Sequence, residues 1–218
     1  MRNDYMRKIE KNTWDRWEIY DFFSGISNPF YMVSFTVDVT ELKAFTKKHD
    51  CSFYYSMIYL CGEALKSVDN FLYVCRDGEI YRLDERVLSF TDRKPDSELF
   101  YIVTLPARGD ILTFCREAKE TSRRQQCFLD KTYEGDDLVY FSCLPTLRLT
   151  ALTNELDILS PGFVQDNTPR IAWGKYTEKQ GRLELTMSME VNHRFVDGIH
   201  IEKFAARLEA LIAELQFL

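Results

Sequence analysis

The sequence predicts an α/β fold, a two-layer sandwich in which helices cover a mixed β-sheet. Short β-rich runs recur along the whole chain, and segments of helical periodicity lie between them. The clearest example is the strictly alternating run at 183–191, which leads through a short turn into an amphipathic helix at 201–215. No repeat and no Pro-, Gly- or Ser-rich linker interrupts the 218 residues, so we expect a single domain over residues 1–218.

The first half of the chain contains both β-rich runs and segments of helical periodicity. Apolar residues at helical spacing, aromatic runs and cap residues predict a helix over 14–23, a strand over 30–39, a helix over 41–48 capped by Thr40, and a buried helix over 54–68. The runs at 72–76 and 79–83 flank Asp77-Gly78. This dipeptide suits the type I′ turn of a two-residue β-hairpin, so we expect a hairpin there.

The second half continues the alternation. Its patterns predict strands over 86–91 and 99–105, a helix that Asp110 caps and that runs to about residue 128, strands over 138–143, 146–152, 170–176 and 183–193, and a final helix over 201–215. The whole count gives a mixed sheet of several strands with roughly five helices.

Composition excludes several classes of protein. A net charge of −6 disfavours a nucleic-acid partner, and no run approaches the 18 or so apolar residues that span a membrane. Residues 1–12 are polar and lack the apolar core of a secretory signal, so we expect a cytoplasmic protein. The six cysteines form no C-x-x-C pair, and the three histidines show no metal-ligand spacing. We therefore expect reduced thiols and no metal site.

The candidate functional motif, His193-Arg194-Phe195-Val196-Asp197-Gly198, follows the alternating run. Because strand side chains alternate between faces, His193 is in phase with the apolar row and should reach the edge of a core-facing surface. A histidine shielded from water, with a carboxylate nearby in sequence, is suited to acid/base catalysis. The alternative is a half-buried structural histidine, and the motif alone leaves both open.

This motif is one of several segments that resemble the chloramphenicol acetyltransferase family, in the same order and over nearly the whole chain. The others are Trp14-Asp15-Arg16 with Phe22 and Phe23, the segment 52–60, Asp77-Gly78-Glu79, Ser142-Cys143-Leu144-Pro145, Gly174-Lys175-Tyr176 and, after the motif, Ile199 and His200. The resemblance implies the fold of the CoA-dependent acyltransferases. It also implies a homotrimer with active sites at the subunit interfaces.

The resemblance further implies an acetyl-CoA-dependent O-acetyltransferase that acts on the primary hydroxyl of chloramphenicol and confers antibiotic resistance. His193, uncharged, would be the general base, and Ser142 would donate a hydrogen bond to the oxyanion. Asp197 would pair with Arg16 and brace the backbone around the histidine, rather than orient the imidazole directly. The remaining implied positions are Phe22, Phe23 and Phe100 in the acceptor pocket and Tyr176 near CoA.

The sequence also departs from the family pattern, and the departures leave the acceptor open. They are Phe23 for a pocket tyrosine, Pro29 for a small pocket residue, Thr146 for a tryptophan, Ala172 for a threonine and Asn192 for the histidine before the catalytic one. The same chemistry on another hydroxyl is thus one alternative. A second is the catalytic domain of a 2-oxo-acid dehydrogenase acyltransferase, which we disfavour because 218 residues leave no room for a lipoyl domain and linker. A third is a non-catalytic relative that binds CoA or an aromatic ligand.

Overall fold

A computed structural model describes residues 6–94, 96–130, 132 and 135–218. The strands in this part of the chain are β1 (Met6–Ile9), β2 (Phe30–Asp38), β3 (Tyr73–Arg76), β4 (Glu79–Leu83), β5 (Val87–Arg93), β6 (Phe100–Leu105), β7 (Leu138–Cys143), β8 (Arg170–Trp173), β9 (Thr177–Lys179) and β10 (Arg182–Asn192). The α-helices described there are α1 (Trp17–Ser24), α2 (Thr40–Lys48), α3 (Phe53–Lys66), α4 (Ile111–Arg124) and α5 (Gly198–Glu214).

The main sheet has the strand order β2-β10-β8-β7-β5-β6, and β9 also pairs with β10. It is mixed, because β7 runs parallel to both β5 and β8 while the other pairs are antiparallel. Helices α2 to α5 pack against one another and contact this sheet, so they form the second layer. The predicted α/β sandwich with a mixed sheet is therefore confirmed.

The Asp77-Gly78 hairpin is present, but it does not join the main sheet. Both turn residues have positive φ, 51° and 76°, as a type I′ turn requires. The hairpin strands β3 and β4 pair instead with β1 in a separate three-stranded sheet. Strand β1 was not predicted, because its four residues alternate too briefly and sit within a polar segment.

The predicted strand over 146–152 is wrong. Both edges of β10 are already paired, with β2 on one side and with β8 and β9 on the other. The segment instead crosses β10 and bonds to side chains: the Leu152 N–H donates to Ser188 Oγ at 2.9 Å, and the Asn154 N–H donates to Glu190 Oε2 at 2.9 Å. These bonds explain why Ser188 and Glu190 are buried although they belong to the polar row of the alternating run.

Several element boundaries also differ from the predictions. Helix α1 begins three residues later than predicted, α4 ends at Arg124 rather than near 128, and β8 ends at Trp173 rather than 176. Thr40 does not cap α2. It is the first helical residue, and Asp38 Oδ1 accepts from both its N–H and its hydroxyl, at 2.9 and 2.6 Å. Asp110 does cap α4, because its side chain accepts from the Thr113 N–H at 2.7 Å.

Gly174 allows the crossing segment to approach the end of β8. A Cβ atom there would lie 2.5 Å from the carbonyl oxygen of Leu147 and 2.7 Å from the backbone nitrogen of Leu149. We expect Gly174→Ala to lower the free energy of unfolding by roughly 1–3 kcal/mol, because backbone has to shift to make room. Urea unfolding measures this change. Gly162→Ala is the control, because the added Cβ would meet only a serine hydroxyl at 3.8 Å; a loss of stability as large for the control would contradict the packing argument.

Candidate active site

His193 lies one residue beyond the end of β10. Its backbone N–H donates to the Pro29 carbonyl at 2.9 Å, which continues the contact between β10 and the start of β2. Two aromatic rings pack against the imidazole: the centroid of Phe23 lies 4.1 Å from it and that of Tyr31 lies 4.4 Å away. The side chain keeps 34% of its surface exposed. The imidazole is therefore positioned by the two aromatic rings, and part of its surface remains accessible to solvent.

Arg16 holds the backbone that carries this histidine. Its guanidinium forms a two-pronged ion pair with the Asp197 carboxylate, in which Nη2 donates to Oδ1 at 2.6 Å and Nη1 donates to Oδ2. The same group donates from Nε to the Arg194 carbonyl at 2.8 Å and from Nη2 to the His193 carbonyl at 2.9 Å. Arg16 is 8% exposed and lies directly before α1. One buried cation thus joins the start of α1 to the turn between β10 and α5.

Burial is the main reason that the histidine is uncharged. Burial lowers the pKa of His193 below 6.5, the charge of Asp197 raises it, and the charge of Arg16 lowers it. The balance is a lowered pKa, so the imidazole is neutral at pH 7. Asp197 Oδ1 is 3.4 Å from His193 Nε2, too far for a good hydrogen bond but close for a charge. Hydrogen bonding to Arg16 holds the pKa of Asp197 below its ordinary value.

Three further residues shape this turn. The sequence reasoning missed Tyr31 and Asn70, and it quoted His200 as part of the family resemblance without assigning it a role. His200 Nδ1 accepts from the Asp197 N–H at 2.9 Å, and burial lowers the pKa of His200, which keeps that nitrogen available as an acceptor. Tyr31 donates its hydroxyl to the Val196 carbonyl, and Asn70 donates to the Phe195 carbonyl. His200 stands three residues after the N-cap, as in a capping box, so local spacing could have identified it. Tyr31 and Asn70 carry no comparable local signal.

Ser142 lies in a different part of the molecule, near the end of β7. It lines a cavity of about 390 Å³ together with Phe100, another predicted pocket residue. The serine hydroxyl makes no hydrogen bond to any residue that the structure describes, so it remains free to donate. His193 does not line this cavity. Phe23 and Pro29 line a separate cavity of about 220 Å³, and Phe22, 69% exposed, packs edge-on against Phe23.

The register of the sheet measures the separation of Ser142 from His193. Ser142 pairs with Ala172, and Ala172 pairs with Ser188 on β10. His193 follows Ser188 by five residues. A rise of about 3.3 Å per residue and a strand spacing of about 4.8 Å then place the two Cα atoms roughly 19 Å apart. Of the predicted catalytic residues, the structure brings His193, Asp197 and Arg16 together and leaves Ser142 apart from them.

The remaining predicted positions lie as follows. Tyr176 lies between β8 and β9, where its ring contacts Phe53 at 5.5 Å and the ammonium of Lys43 lies 5.7 Å from the ring centroid. An aromatic surface and a cation are thus adjacent close to the start of α3. Asn192 is 1% exposed, accepts from the Arg194 N–H at 3.0 Å and donates to the Asp166 carbonyl at 2.9 Å. Asn192 therefore holds the loop that contains Asp166, on the face of β10 opposite to His193.

Within residues 6–94, 96–130, 132 and 135–218, no group of three or more His, Cys, Asp or Glu side chains is placed to hold a metal ion. None of the helices described there combines the length and the apolar character that crossing a bilayer requires.

Comparison with known proteins identifies the family. The chloramphenicol acetyltransferase family model matches residues 4–209. The chain belongs to this family. It is 25% identical over 207 residues to chloramphenicol acetyltransferase 3 of Escherichia coli, which covers 94% of this chain and 95% of that relative. It is also 25% identical over 213 residues to the chloramphenicol acetyltransferase of Clostridium perfringens, with 94% and 97% covered.

Solved structures agree on the fold. A chloramphenicol acetyltransferase structure superimposes with a TM-score of 0.85 at 23% identity and covers 95% of this chain and 99% of that one. The dihydrolipoamide acetyltransferase of Azotobacter vinelandii has a TM-score of 0.69 at 19% identity, with 88% and 85% covered. The fold is that of the CoA-dependent acyltransferases. As a member of the chloramphenicol acetyltransferase family, the protein is an acetyltransferase.

The ion pair of this acetyltransferase gives a prediction about stability. We expect Asp197→Asn to lower the free energy of unfolding by about 2 kcal/mol at pH 7, because Arg16 is left buried without its counter-ion. The pKa of Asp197 is lowered in the folded state, so the pair stabilises above the ordinary carboxyl pKa of 3.8. Its contribution is lost as the pH falls below that value. The difference between wild type and variant should therefore shrink as the pH is lowered below 3.8.

Urea unfolding at several pH values measures this difference. Asp15→Asn is the matched control, because Asp15 is the exposed neighbour of Arg16 in sequence. A stability difference for Asp197→Asn that stays constant across the acid range would show that the ion pair is not what the substitution removes.

Proposed function

We propose that the protein transfers the acetyl group of acetyl-CoA directly to a hydroxyl of chloramphenicol, with His193 as general base and Ser142 as oxyanion donor. The observation that carries the proposal is the separation of these two groups in one chain. A base and an oxyanion donor must each lie about 3 Å from the reacting atoms. At roughly 19 Å, they can serve one reaction only when they come from two copies of the chain. An interface site in a homotrimer meets this requirement.

The reaction would proceed in two steps. Neutral His193 accepts the proton of the acceptor hydroxyl while the alcohol oxygen attacks the thioester carbonyl, and the carbonyl oxygen becomes an oxyanion that Ser142 stabilises. The tetrahedral intermediate then collapses, the C–S bond breaks, and the imidazolium returns the proton to the CoA thiolate. Both substrates are bound together, so no acyl-enzyme forms and no cysteine acts as a nucleophile.

Other features of the chain support an interface site. Phe22, beside His193, is 69% exposed, and Phe100 and Phe128, at the Ser142 cavity, are 45% and 53% exposed. We call the surroundings of His193 and of Ser142 the two half-sites. Large exposed apolar side chains on both half-sites are typical of a surface that a second copy of the chain covers. In the proposal Phe22, Phe23 and Phe100 line the acceptor pocket, where aromatic walls suit a nitrophenyl ring.

The donor side of the proposal rests on Tyr176. Its ring and the nearby Lys43 ammonium offer the aromatic and cationic contacts that a nucleotide carrier such as CoA can use, so we place acetyl-CoA there. We further propose that the enzyme acts in the cytoplasm. Asp197 and Arg16 take no proton in this scheme; they hold the backbone on which His193 is mounted.

A different hydroxyl acceptor is the second candidate. The Ser142 cavity includes Asn154, Glu155 and Arg170 beside its aromatic residues, so part of its wall is polar and charged. Identity of 25% to chloramphenicol acetyltransferases leaves room for such a change in the acceptor while the transfer chemistry is kept.

Subunit complementation tests the interface site. His193→Ala should remove thiol release from acetyl-CoA, and Ser142→Ala should lower it by about 10²- to 10³-fold. When the two variants are co-expressed with different tags and purified as mixed oligomers, some interfaces receive His193 from one chain and Ser142 from the other. Each mixed homotrimer has one such interface among its three, so about a third of the wild-type rate should be restored.

The control for this experiment is a mixture of two differently tagged His193→Ala chains, which should recover no activity. Mixed oligomers of His193→Ala and Ser142→Ala that stay as inactive as the single variants would contradict the shared site. Full activity of His193→Ala alone would remove the imidazole from the mechanism.

The lowered pKa of His193 predicts how the rate depends on pH. The neutral imidazole is the active form, so kcat/KM should be flat from about pH 8 to about pH 7 and should fall below the pKa of His193. Because that pKa is lowered, the midpoint of the fall should lie below 6.5. The profile is measured by thiol release with saturating acetyl-CoA. A midpoint above 6.5 would mean that the attraction of Asp197 outweighs burial, and it would contradict the lowered pKa of His193.

A further inference from the structure

The Ser142 cavity has two chemically different walls. One wall is aromatic and aliphatic, and its members are Phe90, Phe100, Ile102, Phe128 and Phe141. The lining also includes the hydroxyl-bearing residues Ser89, Thr91, Tyr140 and Ser142. Its amide and charged members, which we call the polar wall, are Asn154, Glu155 and Arg170, and the first two of these lie in the segment that crosses β10. An acceptor that consisted only of an apolar ring would form no hydrogen bond or ion pair with the polar wall. The polar wall is therefore the part of the cavity that can select an acceptor by charge.

Arg170 does not supply a free cation to this wall. It is 8% exposed, its Nη2 donates to Asp166 Oδ2 at 2.7 Å, and its Nη1 donates to the Thr168 carbonyl at 3.0 Å. Its charge is thus compensated by a carboxylate on the same loop. An anionic acceptor would have to compete with Asp166 for the guanidinium.

The wall instead offers hydrogen-bond acceptors and negative charge. Asn154 donates its side-chain N–H to Glu190 Oε2 at 3.1 Å, and the side-chain carbonyl oxygen is left to accept. Glu155 is exposed and makes no hydrogen bond or ion pair with any residue that the structure describes. Glu190 is 5% exposed and has no ion-pair partner among those residues either. Two carboxylates without a cation therefore lie at or directly behind this wall.

We propose that Glu155 selects an aromatic alcohol that carries a positively charged amine, with the ring against the apolar wall and the cation against the Glu155 carboxylate and the Asn154 carbonyl. This inference rests on the proposed acetyl transfer and develops its second candidate, a hydroxyl acceptor other than chloramphenicol. The ammonium group supplies the positive charge that this wall lacks, and a neutral amide does not. Glu155 is a specificity residue in this scheme, and His193 remains the base.

The test uses two acceptors that share one scaffold. The first is chloramphenicol; the second is its analogue in which a dimethylammonium group replaces the dichloroacetamide, so that the charge is present and the nitrogen cannot be acetylated. Thiol release from acetyl-CoA gives kcat/KM for both acceptors with wild type, Glu155→Gln and Glu117→Gln. Glu117 is an exposed residue of α4 and serves as the matched control.

We expect wild type to prefer the cationic analogue. Glu155→Gln should lower kcat/KM for the analogue by about fivefold and leave that for chloramphenicol within about twofold, as expected for one partly screened charge. Glu117→Gln should change neither. A preference for chloramphenicol that Glu155→Gln leaves unaltered would overturn the inference while the proposed function stands.

A calorimetric titration separates the two proposals if thiol release fails. Should neither acceptor release thiol, acetyl transfer to this class of alcohol would be wrong. The cationic analogue titrated into the CoA-saturated protein would still decide the role of Glu155. Binding that weakens about fivefold in Glu155→Gln and in raised salt supports the inference, and binding that is equal in both proteins overturns it.

Discussion

The geometry of the site depends on one buried guanidinium. Arg16 gives its hydrogen bonds to the Asp197 carboxylate and to the carbonyls of His193 and Arg194, groups that lie 177 to 181 positions away in the chain. A buried cation is tolerated only when each of its N–H donors has an acceptor. A movement of the turn after β10 would leave the buried Arg16 guanidinium without its acceptors and would therefore be unfavourable. The position of His193 is therefore fixed through its backbone. Its imidazole is left without a strong hydrogen bond of its own.

That arrangement also sets the charge of the imidazole. A carboxylate dedicated to a histidine raises the histidine pKa, whereas here the carboxylate is shared with Arg16, whose own charge opposes protonation. Burial against Phe23 and Tyr31 lowers the histidine pKa further and is the larger of the two causes. The outcome is an imidazole that is neutral at pH 7. His200 also leaves the Asp197 carboxylate to Arg16, because its unprotonated Nδ1 accepts a hydrogen bond from the Asp197 backbone N–H.

Features with a local pattern were predictable from the sequence, and features made by distant contacts were not. The alternating run gave β10 and the placement of His193 at its end, and Asp77-Gly78 gave the hairpin turn. The strand predicted over 146–152 failed because strand propensity does not reveal that both edges of β10 are taken. The pair of Arg16 with Asp197 was expected only from family resemblance. Tyr31, whose partner carbonyl is 165 positions away, has no signal in the sequence at all.

Strand β10 connects the two halves of the proposed site, but the contacts that form one half do not include residues of the other. Its end carries His193, and its polar face carries Ser188 and Glu190, which fasten the segment that contributes Asn154 and Glu155 to the other half-site. A substitution at 154 or 155 changes the cavity wall, but it touches neither the ring packing of His193 nor the bonds of Arg16. The wall of the Ser142 cavity can therefore vary while the contacts that position His193 are preserved.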